Sequence, residues 1–371
     1  AEDGNGSVAE CGRSLGKRIG GYASAAAADD LAAVIDRLGL GAPLVYGDSY
    51  GTFVAQVYAT RHPVAGLALD GAYPISGEDA WYDTQAPALR RALDLVCART
   101  PNCEPGRTLE RLRAVLQSVR RTPIRIKAPG ADDRVHRVEV DAPALVEVAF
   151  NGTYLTPTIR ELDAALGAAL EGDWLPLGRL VAESEYPGGD PLPAQMYSPG
   201  QALAVSCHDY PQLFARSAGT SVRRTQVKEA IAAKQRSDPS VYAPFTIGEY
   251  LRSDWAEQEV CVTWPLRAVA PDLRLPSLAD APDVPVLVIS GDLDTITTAA
   301  EGQLVADAFP RSQHLIVENG LHVNALGNPG GCAAAAVRTF VSDVLADRAP
   351  AALPDRCALP AIQPAAGYPR T

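Results

Sequence analysis

A Gly-x-Ser-x-Gly motif centred on Ser49 follows the apolar run 43–46 and leads into a helical pattern over residues 52–60. A serine at a sharp strand-to-helix turn adopts a strained backbone, and glycines two positions to either side leave room for that turn. The motif alone also describes an ordinary Gly/Ser loop, but the flanking strand and helix patterns favour the turn. We predict that Ser49 is a catalytic nucleophile and that the backbone N–H of Tyr50 faces the developing oxyanion.

A serine hydroxyl is a poor nucleophile at neutral pH, so it needs a histidine as general base and a carboxylate that orients the histidine. His322 is placed best among the five histidines, because it follows the apolar run 314–317 in a loop at the end of a predicted last strand. The remaining histidines begin that strand, end a helix or lie in the middle of the chain: His314, His62, His136 and His208. We predict His322 as the base; the alternative is an ordinary loop histidine.

Three aspartates compete for the role of the acid. The run 284–290 is typical of a buried parallel strand, and Asp292 and Asp294 follow it directly. Asp294 is favoured because it lies further into the loop, where it can reach the histidine ring, whereas Asp292 is better placed to cap the turn or the next helix. Asp70 stays an alternative because it ends the strand-like run 66–70 after the nucleophile helix.

Four sequence blocks resemble those of the secreted tripeptidyl aminopeptidases of actinobacteria, relatives of the prolyl aminopeptidases in the α/β-hydrolase superfamily. They are Tyr-Gly-Asp-Ser-Tyr-Gly-Thr at 46–52, Leu-Asp-Gly-Ala-Tyr-Pro at 69–74, Gly-Asp-Leu-Asp at 291–294 and Gly-Leu-His at 320–322. The resemblance spans nearly the whole chain. It implies an α/β-hydrolase fold, in which helices flank a mostly parallel sheet, with Ser49, Asp294 and His322 as nucleophile, acid and base. The implied activity is that of a serine exopeptidase, which releases short peptides from free N-termini through an acyl-enzyme.

The chain departs from this family ahead of the Ser49 strand. Family members carry four strands there and a His-Gly-Gly-Pro-Gly loop that supplies a second oxyanion N–H, whereas residues 24–38 of this chain predict a helix with Ser24 as its N-cap. The four visible core strands would leave the Ser49 strand as an apolar edge. We therefore expect that an N-terminal segment with further strands, an oxyanion loop and a cysteine partner for Cys11 is missing from this sequence.

Two alternative functions stay open. Acyl-enzyme chemistry does not distinguish amides from esters, so a carboxylic ester hydrolase of the same fold is the second interpretation. An inactive binding or remnant domain is the third, because the loss of one oxyanion donor costs about 10²- to 10³-fold in turnover.

The charge and the apolar runs of the sequence limit the kinds of partner that the protein can bind. The net charge of −11 argues against nucleic acid, because phosphate binding needs a basic face. No apolar run approaches the roughly 20 residues of a membrane span, and the first residues lack a signal-peptide pattern. The expected partner is a peptide with a free N-terminus.

The seven cysteines show no Cys-x-x-Cys or zinc-type spacing, so we expect disulfides and no metal or cofactor. Cys97 and Cys103 are close enough to close a small loop, and Cys332 and Cys357 can tie the C-terminal tail to the last helix. Three further cysteines are Cys207 and Cys261 in the middle region and Cys11, which is left over. Disulfides indicate a secreted or cell-envelope protein; the alternative is a cytosolic enzyme with buried thiols.

The strand and helix patterns divide the chain into four segments. Residues 1–77 and 281–348 are predicted as the two parts of the hydrolase core, residues 78–280 as a mainly helical lid, and residues 349–371 as a Pro-rich tail. In these hydrolases lids exclude water and shape the pocket. Candidates to line the pocket, each with a core position as the favoured alternative, are Trp174, Tyr186, Tyr197, Trp255 and Trp264. Glu183 and Glu185 are candidates to hold a peptide amine, although surface solvation is favoured for each.

Overall fold

The computed structural model describes residues 4–101, 103–152, 156–189, 193, 198–265 and 273–365. Its strands in chain order are β1 (Leu44–Asp48), β2 (Gly66–Asp70), β3 (Ile124–Pro129), β4 (Val135–Val140), β5 (Pro285–Gly291), β6 (Arg311–Glu318) and β7 (Arg356–Ala358). Five of them form one sheet in the order β1-β2-β5-β6-β7, and every pair in it is parallel. The strands β3 and β4 form a separate antiparallel hairpin.

Helices cover both faces of this sheet. The helices in chain order are α1 (Gly4–Leu15), α2 (Ser24–Arg37), α3 (Tyr50–Arg61), α4 (Gln85–Ala98), α5 (Arg107–Arg121), α6 (Ala142–Asn151), α7 (Thr156–Leu170), α8 (Leu175–Glu185), α9 (Pro199–His208), α10 (Thr220–Ser237), α11 (Ile247–Tyr250), α12 (Ala299–Ala308) and α13 (Cys332–Leu345). Successive side chains of a strand point to opposite faces. Leu67 and Leu69 of β2 therefore pack with Phe53 of α3, whereas Ala68 packs with Phe340 of α13. This two-sided cover explains why β2 is wholly buried and why its residues before Asp70 are apolar.

The segment 78–280, predicted as a lid and called the lid segment below, has its own core. Side chains from its helices α5, α6 and α7 pack with the hairpin, among them Leu112, Leu116, Val140, Phe150 and Leu166. The sequence has helical patterns over residues 86–98, 109–121, 159–171 and 223–234, and the structure forms α4, α5, α7 and α10 there, with ends that differ by at most three residues. The β3–β4 hairpin was not predicted, because its alternating pattern of long charged and aliphatic residues is short and lies among helical patterns.

The structure corrects two local predictions. Ser24 is the first residue of α2 and not its N-cap, since Ala23 holds the extended cap conformation. The Ser24 N–H instead donates to Asp209 at the end of α9, 2.7 Å away, so a distant carboxylate caps this helix. The tail residues 356–358 form β7, a fifth strand where the sequence indicated four, paired with β6.

The strand that carries the motif, β1, lies at one end of the described sheet and pairs with β2. The sequence therefore placed this strand correctly at an edge. Three disulfides join Cys97 to Cys103, Cys207 to Cys261 and Cys332 to Cys357, and Cys11 is a free thiol. Among the described residues, no helix combines the length and the apolar character needed to cross a membrane.

Candidate active site

Ser49 occupies the turn between β1 and α3. Its φ of 48° and ψ of −122° are a backbone conformation that residues other than glycine rarely adopt. The Ser49 N–H donates to the carbonyl oxygen of Asp70 at the end of β2, 3.0 Å away, which fixes the turn against the neighbouring strand. The side chain faces a cavity at the carboxyl end of the sheet. The predicted strained turn is therefore present.

The two motif glycines contribute unequally to this turn. A Cβ on Gly47 would lie 2.3 Å from the carbonyl oxygen of Gly51, so no side chain fits at Gly47. A Cβ on Gly51 would make only an ordinary contact of 3.5 Å with Asp48 Oδ1. Close approach of the strand to the helix therefore requires glycine at the first position.

Tyr50 is the first residue of α3. The N–H groups of a first helical turn have no carbonyl partner within the helix and carry the positive end of the helix dipole. The Tyr50 N–H therefore belongs to a group of donors suited to an anion beside Ser49. The Tyr50 hydroxyl lies 2.9 Å from Ser24 Oγ, which anchors the side chain to α2.

His322 and Asp294 form a buried pair. Nδ1 of His322 lies 2.9 Å from Asp294 Oδ2, and the two side chains are 5% and 0% exposed. The other carboxylate oxygen, Oδ1, accepts the backbone N–H groups of Ile296 at 2.8 Å and Thr297 at 3.1 Å. Asp294 is thus held by its own loop with one oxygen directed at the histidine.

The environment of His322 favours its protonated form. Burial by itself lowers the pKa of His322, but the hydrogen bond and charge of Asp294, together with the charge of Asp70, raise it above its ordinary value. A histidine of this kind holds a proton more firmly than a free imidazole does, which suits a general base.

The end of β2 brings Ser49 and His322 to the same place. Asp70 accepts the Ser49 N–H, and the next residue, Gly71, lies against the His322 ring. A Cβ on Gly71 would lie 3.4 Å from His322 Cε1, and the Gly71 φ of 72° also favours glycine. The structure therefore gathers Ser49, His322 and Asp294 at one end of the sheet, in the chain order that the sequence indicated.

The two rival aspartates have other partners. Asp70 accepts the backbone N–H groups of Asn324 and Ala325 and the hydroxyl of Tyr46, so it anchors the loop that follows His322. Burial raises the pKa of Asp70 despite these donors. Asp292 forms an ion pair with Arg99, with Nη2 to Oδ2 at 2.5 Å, and accepts the Asn319 N–H; the next helix is capped by Thr298 instead.

Each of the remaining histidines has a partner away from Ser49. His314 lies 3.0 Å from Ser290 Oγ within the sheet, and His208 lies 2.7 Å from the carbonyl oxygen of Ile19. The other two pair with aspartates on the surface, His62 with Asp29 and His136 with Asp132.

A cavity of about 470 Å³ opens at Ser49, between the sheet and the lid segment. Part of its wall is aromatic: Phe53, Tyr73 and Tyr210 contact one another with ring centroids 5.4 to 6.0 Å apart. The hydroxyls of Tyr73 and Tyr210 lie 2.6 Å apart, and this contact joins the β2 loop to the lid segment.

Another part of the wall is acidic. Five carboxylates line the cavity, and no Lys, Arg or His is among the described residues that do so. They are Glu78, Asp209, Asp254, Glu257 and Glu301. Burial raises the pKa of both Glu301 and Glu78, and the proximity of the two carboxyls raises that of Glu78 further. A protonated carboxyl adds no positive charge, so a lining of five carboxyl groups with no basic side chain among its described residues favours a cation over an anion.

Most of the predicted pocket residues lie elsewhere. Trp255 lines the cavity, but Trp264 is buried in another cluster and Trp174 packs against the lid core. Tyr186 stacks on His136 at the surface, and Tyr197 lies outside the described residues.

Neither predicted amine ligand faces the cavity. Glu183 binds Arg179 at 2.6 Å, and Glu185 is exposed at the end of α8. Sequence reasoning missed most of the residues that do line it, although Tyr73 lies within the Leu-Asp-Gly-Ala-Tyr-Pro block and Glu78 follows it closely. Their position just after the predicted strand 66–70 was the available signal that they could line the cavity.

Together the parallel sheet with helices on both faces and the serine at a strained strand-to-helix turn define an α/β-hydrolase fold. The later loops that carry the aspartate and the histidine follow β5 and β6, as this fold requires. Among the described residues, no group of three or more His, Cys, Asp or Glu side chains is arranged to hold a metal ion.

Comparisons with known proteins agree with this class. A family model described as TAP-like protein, of the Abhydrolase_4 type, matches residues 248–350. No curated protein sequence matches the chain.

Three similar solved structures are low in identity and score. Proline iminopeptidase from Mycobacterium smegmatis is 16% identical, with 88% of this chain and 74% of that chain covered and a TM-score of 0.32. A thermophilic esterase from Thermogutta terrifontis is 16% identical, with 87% and 73% covered and a TM-score of 0.33. An epoxide hydrolase from an endophytic Streptomyces is 17% identical, with 92% and 79% covered and a TM-score of 0.37.

Proposed function

We propose that this protein is a serine exopeptidase that removes short peptides from free N-termini through an acyl-enzyme. The observation that carries the proposal is the cavity at Ser49, whose lining has five carboxylates and, among the described residues, no basic side chain. An ester hydrolase for neutral acyl groups has no need of such a lining, whereas a peptide with a free ammonium group is attracted by it.

In this proposal Ser49 Oγ attacks the carbonyl carbon of the scissile bond while His322 Nε2 accepts the hydroxyl proton. Asp294 stabilises the imidazolium that forms, and the Tyr50 N–H donates to the oxyanion of the tetrahedral intermediate. His322 then returns its proton to the leaving amine, and water hydrolyses the acyl-enzyme by the same route. The pairing of His322 with Asp294 at 2.9 Å supports these roles.

Glu257 is the carboxylate that we assign to the substrate ammonium. Three other lining carboxylates already have partners: Glu301 accepts from Thr84 and from the Thr298 N–H, and Asp209 accepts the Ser24 N–H. Glu78 interacts with Glu301, which leaves Asp254 and Glu257, and we choose Glu257 because burial raises its pKa. Glu257 is accessible from within the cavity, yet enclosure by protein raises its pKa. An ammonium group beside it would restore a stable charge pair.

We expect Glu257→Gln to raise KM for a free-amine peptide anilide about 10-fold or more, because the amide retains the shape but loses the charge. The measurement compares kcat and KM for amino-terminal peptide anilides, N-blocked anilides and short esters. Wild type should prefer the free-amine anilide.

The matched control is Glu259→Gln, which removes a carboxylate two residues away that is exposed and does not line the cavity. It should leave KM unchanged. If the wild-type protein hydrolyses short esters faster than free-amine anilides, its function is that of an ester hydrolase and not of a peptidase. Equal kcat and KM for N-blocked and free-amine anilides would contradict recognition of the substrate's free amine by the cavity.

We also expect a pH dependence set by His322. The base must be neutral to accept a proton, so activity falls as pH decreases through the pKa of His322. Because that pKa is raised, activity should fall to half at a pH above about 6.5, the ordinary pKa of histidine. The rate at which an uncharged fluorophosphonate labels Ser49 reports this directly, since the reagent has no titrating amine. A half-point below pH 6 would contradict it.

We propose that the protein works outside the cytoplasm, as a secreted or cell-envelope enzyme. Its three disulfides support this location, because such bonds persist in oxidising compartments. The match of residues 248–350 to the TAP-like model and the four sequence blocks support a tripeptidyl or prolyl type of aminopeptidase.

A further inference from the structure

Thr297 contacts both members of the buried acid–histidine pair. Its Oγ1 lies 2.7 Å from Asp294 Oδ2 and 3.1 Å from His322 Nδ1. Its backbone N–H donates to the other oxygen of Asp294, and the residue is 3% exposed. One residue therefore binds both oxygens of the carboxylate and also touches the ring nitrogen that faces them.

The direction of these hydrogen bonds follows from the donors present. Asp294 as a carboxylate only accepts, so the Thr297 hydroxyl donates to Oδ2. A hydroxyl has a single proton, so the oxygen of Thr297 presents a lone pair to His322 Nδ1. Both neighbours of Nδ1 are then acceptors, which places the neutral ring's proton on Nδ1 and leaves Nε2 free to accept one.

The main chain opposite Thr297 limits where its hydroxyl can move. A Cβ on Gly71 would lie 3.0 Å from Thr297 Oγ1, so the backbone there already packs closely against the hydroxyl. Thr297 is also β-branched, which restricts rotation about its first side-chain bond. The hydroxyl is thereby held at the edge shared by Asp294 and His322.

We infer that Thr297 is a positioning residue for the reaction: its hydroxyl orients the carboxylate of Asp294 and fixes the protonation of His322 at Nδ1. The inference rests on the proposed function, because it assigns Thr297 an effect on the Ser49–His322–Asp294 triad. It does not depend on whether the substrate is a peptide or an ester.

The test is a pair of substitutions at this position. Thr297→Val keeps the shape and removes the hydroxyl, and we expect kcat to fall about 10- to 100-fold with KM little changed. Thr297→Ser restores the hydroxyl and should recover most of kcat. Fluorophosphonate labelling of Ser49 should slow in parallel with kcat in the valine variant, since activation of the nucleophile is what is lost.

Thr295→Val is the matched control, because Thr295 is a buried threonine of the same loop whose hydroxyl donates to the Phe150 carbonyl oxygen. It should affect thermal stability without a comparable loss of kcat. The downfield proton NMR signal of the His322 Nδ1–H should shift or broaden in Thr297→Val and stay in place in Thr295→Val.

Two outcomes would overturn the inference: Thr297→Val with kcat within about threefold of wild type, or Thr297→Ser as impaired as Thr297→Val. The proposed function is judged separately by Ser49→Ala. If Ser49→Ala is inactive while Thr297→Val is fully active, the inference about Thr297 fails and the serine mechanism stands. If Ser49→Ala retains full activity, the serine mechanism fails, and with it the basis for assigning a role to Thr297.

Discussion

Ser49→Ala should abolish hydrolysis, with turnover at least about 10³-fold lower than in the wild type, because no other group in the proposed mechanism forms the acyl-enzyme. The fold should persist, since alanine adds no volume and the turn conformation is maintained by the Ser49 N–H, which donates to the Asp70 carbonyl oxygen. The measurement is steady-state turnover of a free-amine peptide anilide, with the thermal unfolding midpoint as the check on folding.

Ser76→Ala is the matched control, because Ser76 also lines the cavity and accepts the Leu278 N–H at 3.3 Å. It should leave turnover close to wild type. Residual turnover of the Ser49→Ala variant above about a thousandth of wild type, in protein free of contaminating hydrolase, would contradict Ser49 as the nucleophile.

Asp294→Asn should lower turnover by about 10⁴-fold. The backbone donors of Ile296 and Thr297 require an oxygen at the Oδ1 position, so the new amide nitrogen takes the place of Oδ2. Its N–H then faces His322 Nδ1, which must become the acceptor, and the ring proton moves to Nε2. A ring protonated at Nε2 cannot accept the proton of Ser49. The measurement is kcat for the same anilide.

Asp70→Asn and Asp292→Asn are the comparison variants. Asp70 accepts backbone N–H groups of the loop after His322, and Asp292 pairs with Arg99, so both changes should lower the free energy of unfolding by about 1–3 kcal/mol. Their effect on turnover should be far smaller than that of Asp294→Asn. If Asp70→Asn is the crippling change and Asp294→Asn is mild, Asp70 is the acid.

Local sequence was sufficient to locate the strained turn at Ser49. The Ser49 turn depends on residues adjacent in the chain: an apolar strand, a glycine where a Cβ would strike the next turn of backbone, and an unbroken helix. The buried strand β5 and the polar loop after it were visible for the same reason. The catalytic roles of Ser49, His322, Asp294 and the Tyr50 N–H, the division into four segments and the missing N-terminal segment stay predictions.

The sequence favoured Asp294 over two rival aspartates but could not decide among the three, because their roles depend on partners far away in the chain. The choice among Asp70, Asp292 and Asp294 depends on which carboxylate contacts His322 and which contacts Arg99 or the loop at Asn324. The predicted N-cap of α2 was wrong for a related reason. The Ser24 N–H donates to Asp209 of the lid segment, which lies 185 residues away along the chain.

The cavity lining is the clearest case of what only the tertiary structure decided. Glu78, Glu257 and Glu301 belong to three separate parts of the sequence, and each taken singly is read as a solvated surface residue. Periodicity reports which face of an element is apolar, but it carries no information on which elements meet. The sequence by itself determined the fold class and the strained serine, because these depend on neighbours in the chain. The structure decided which carboxylates surround that serine, because their proximity and pKa values depend on burial and charge contributed by distant segments.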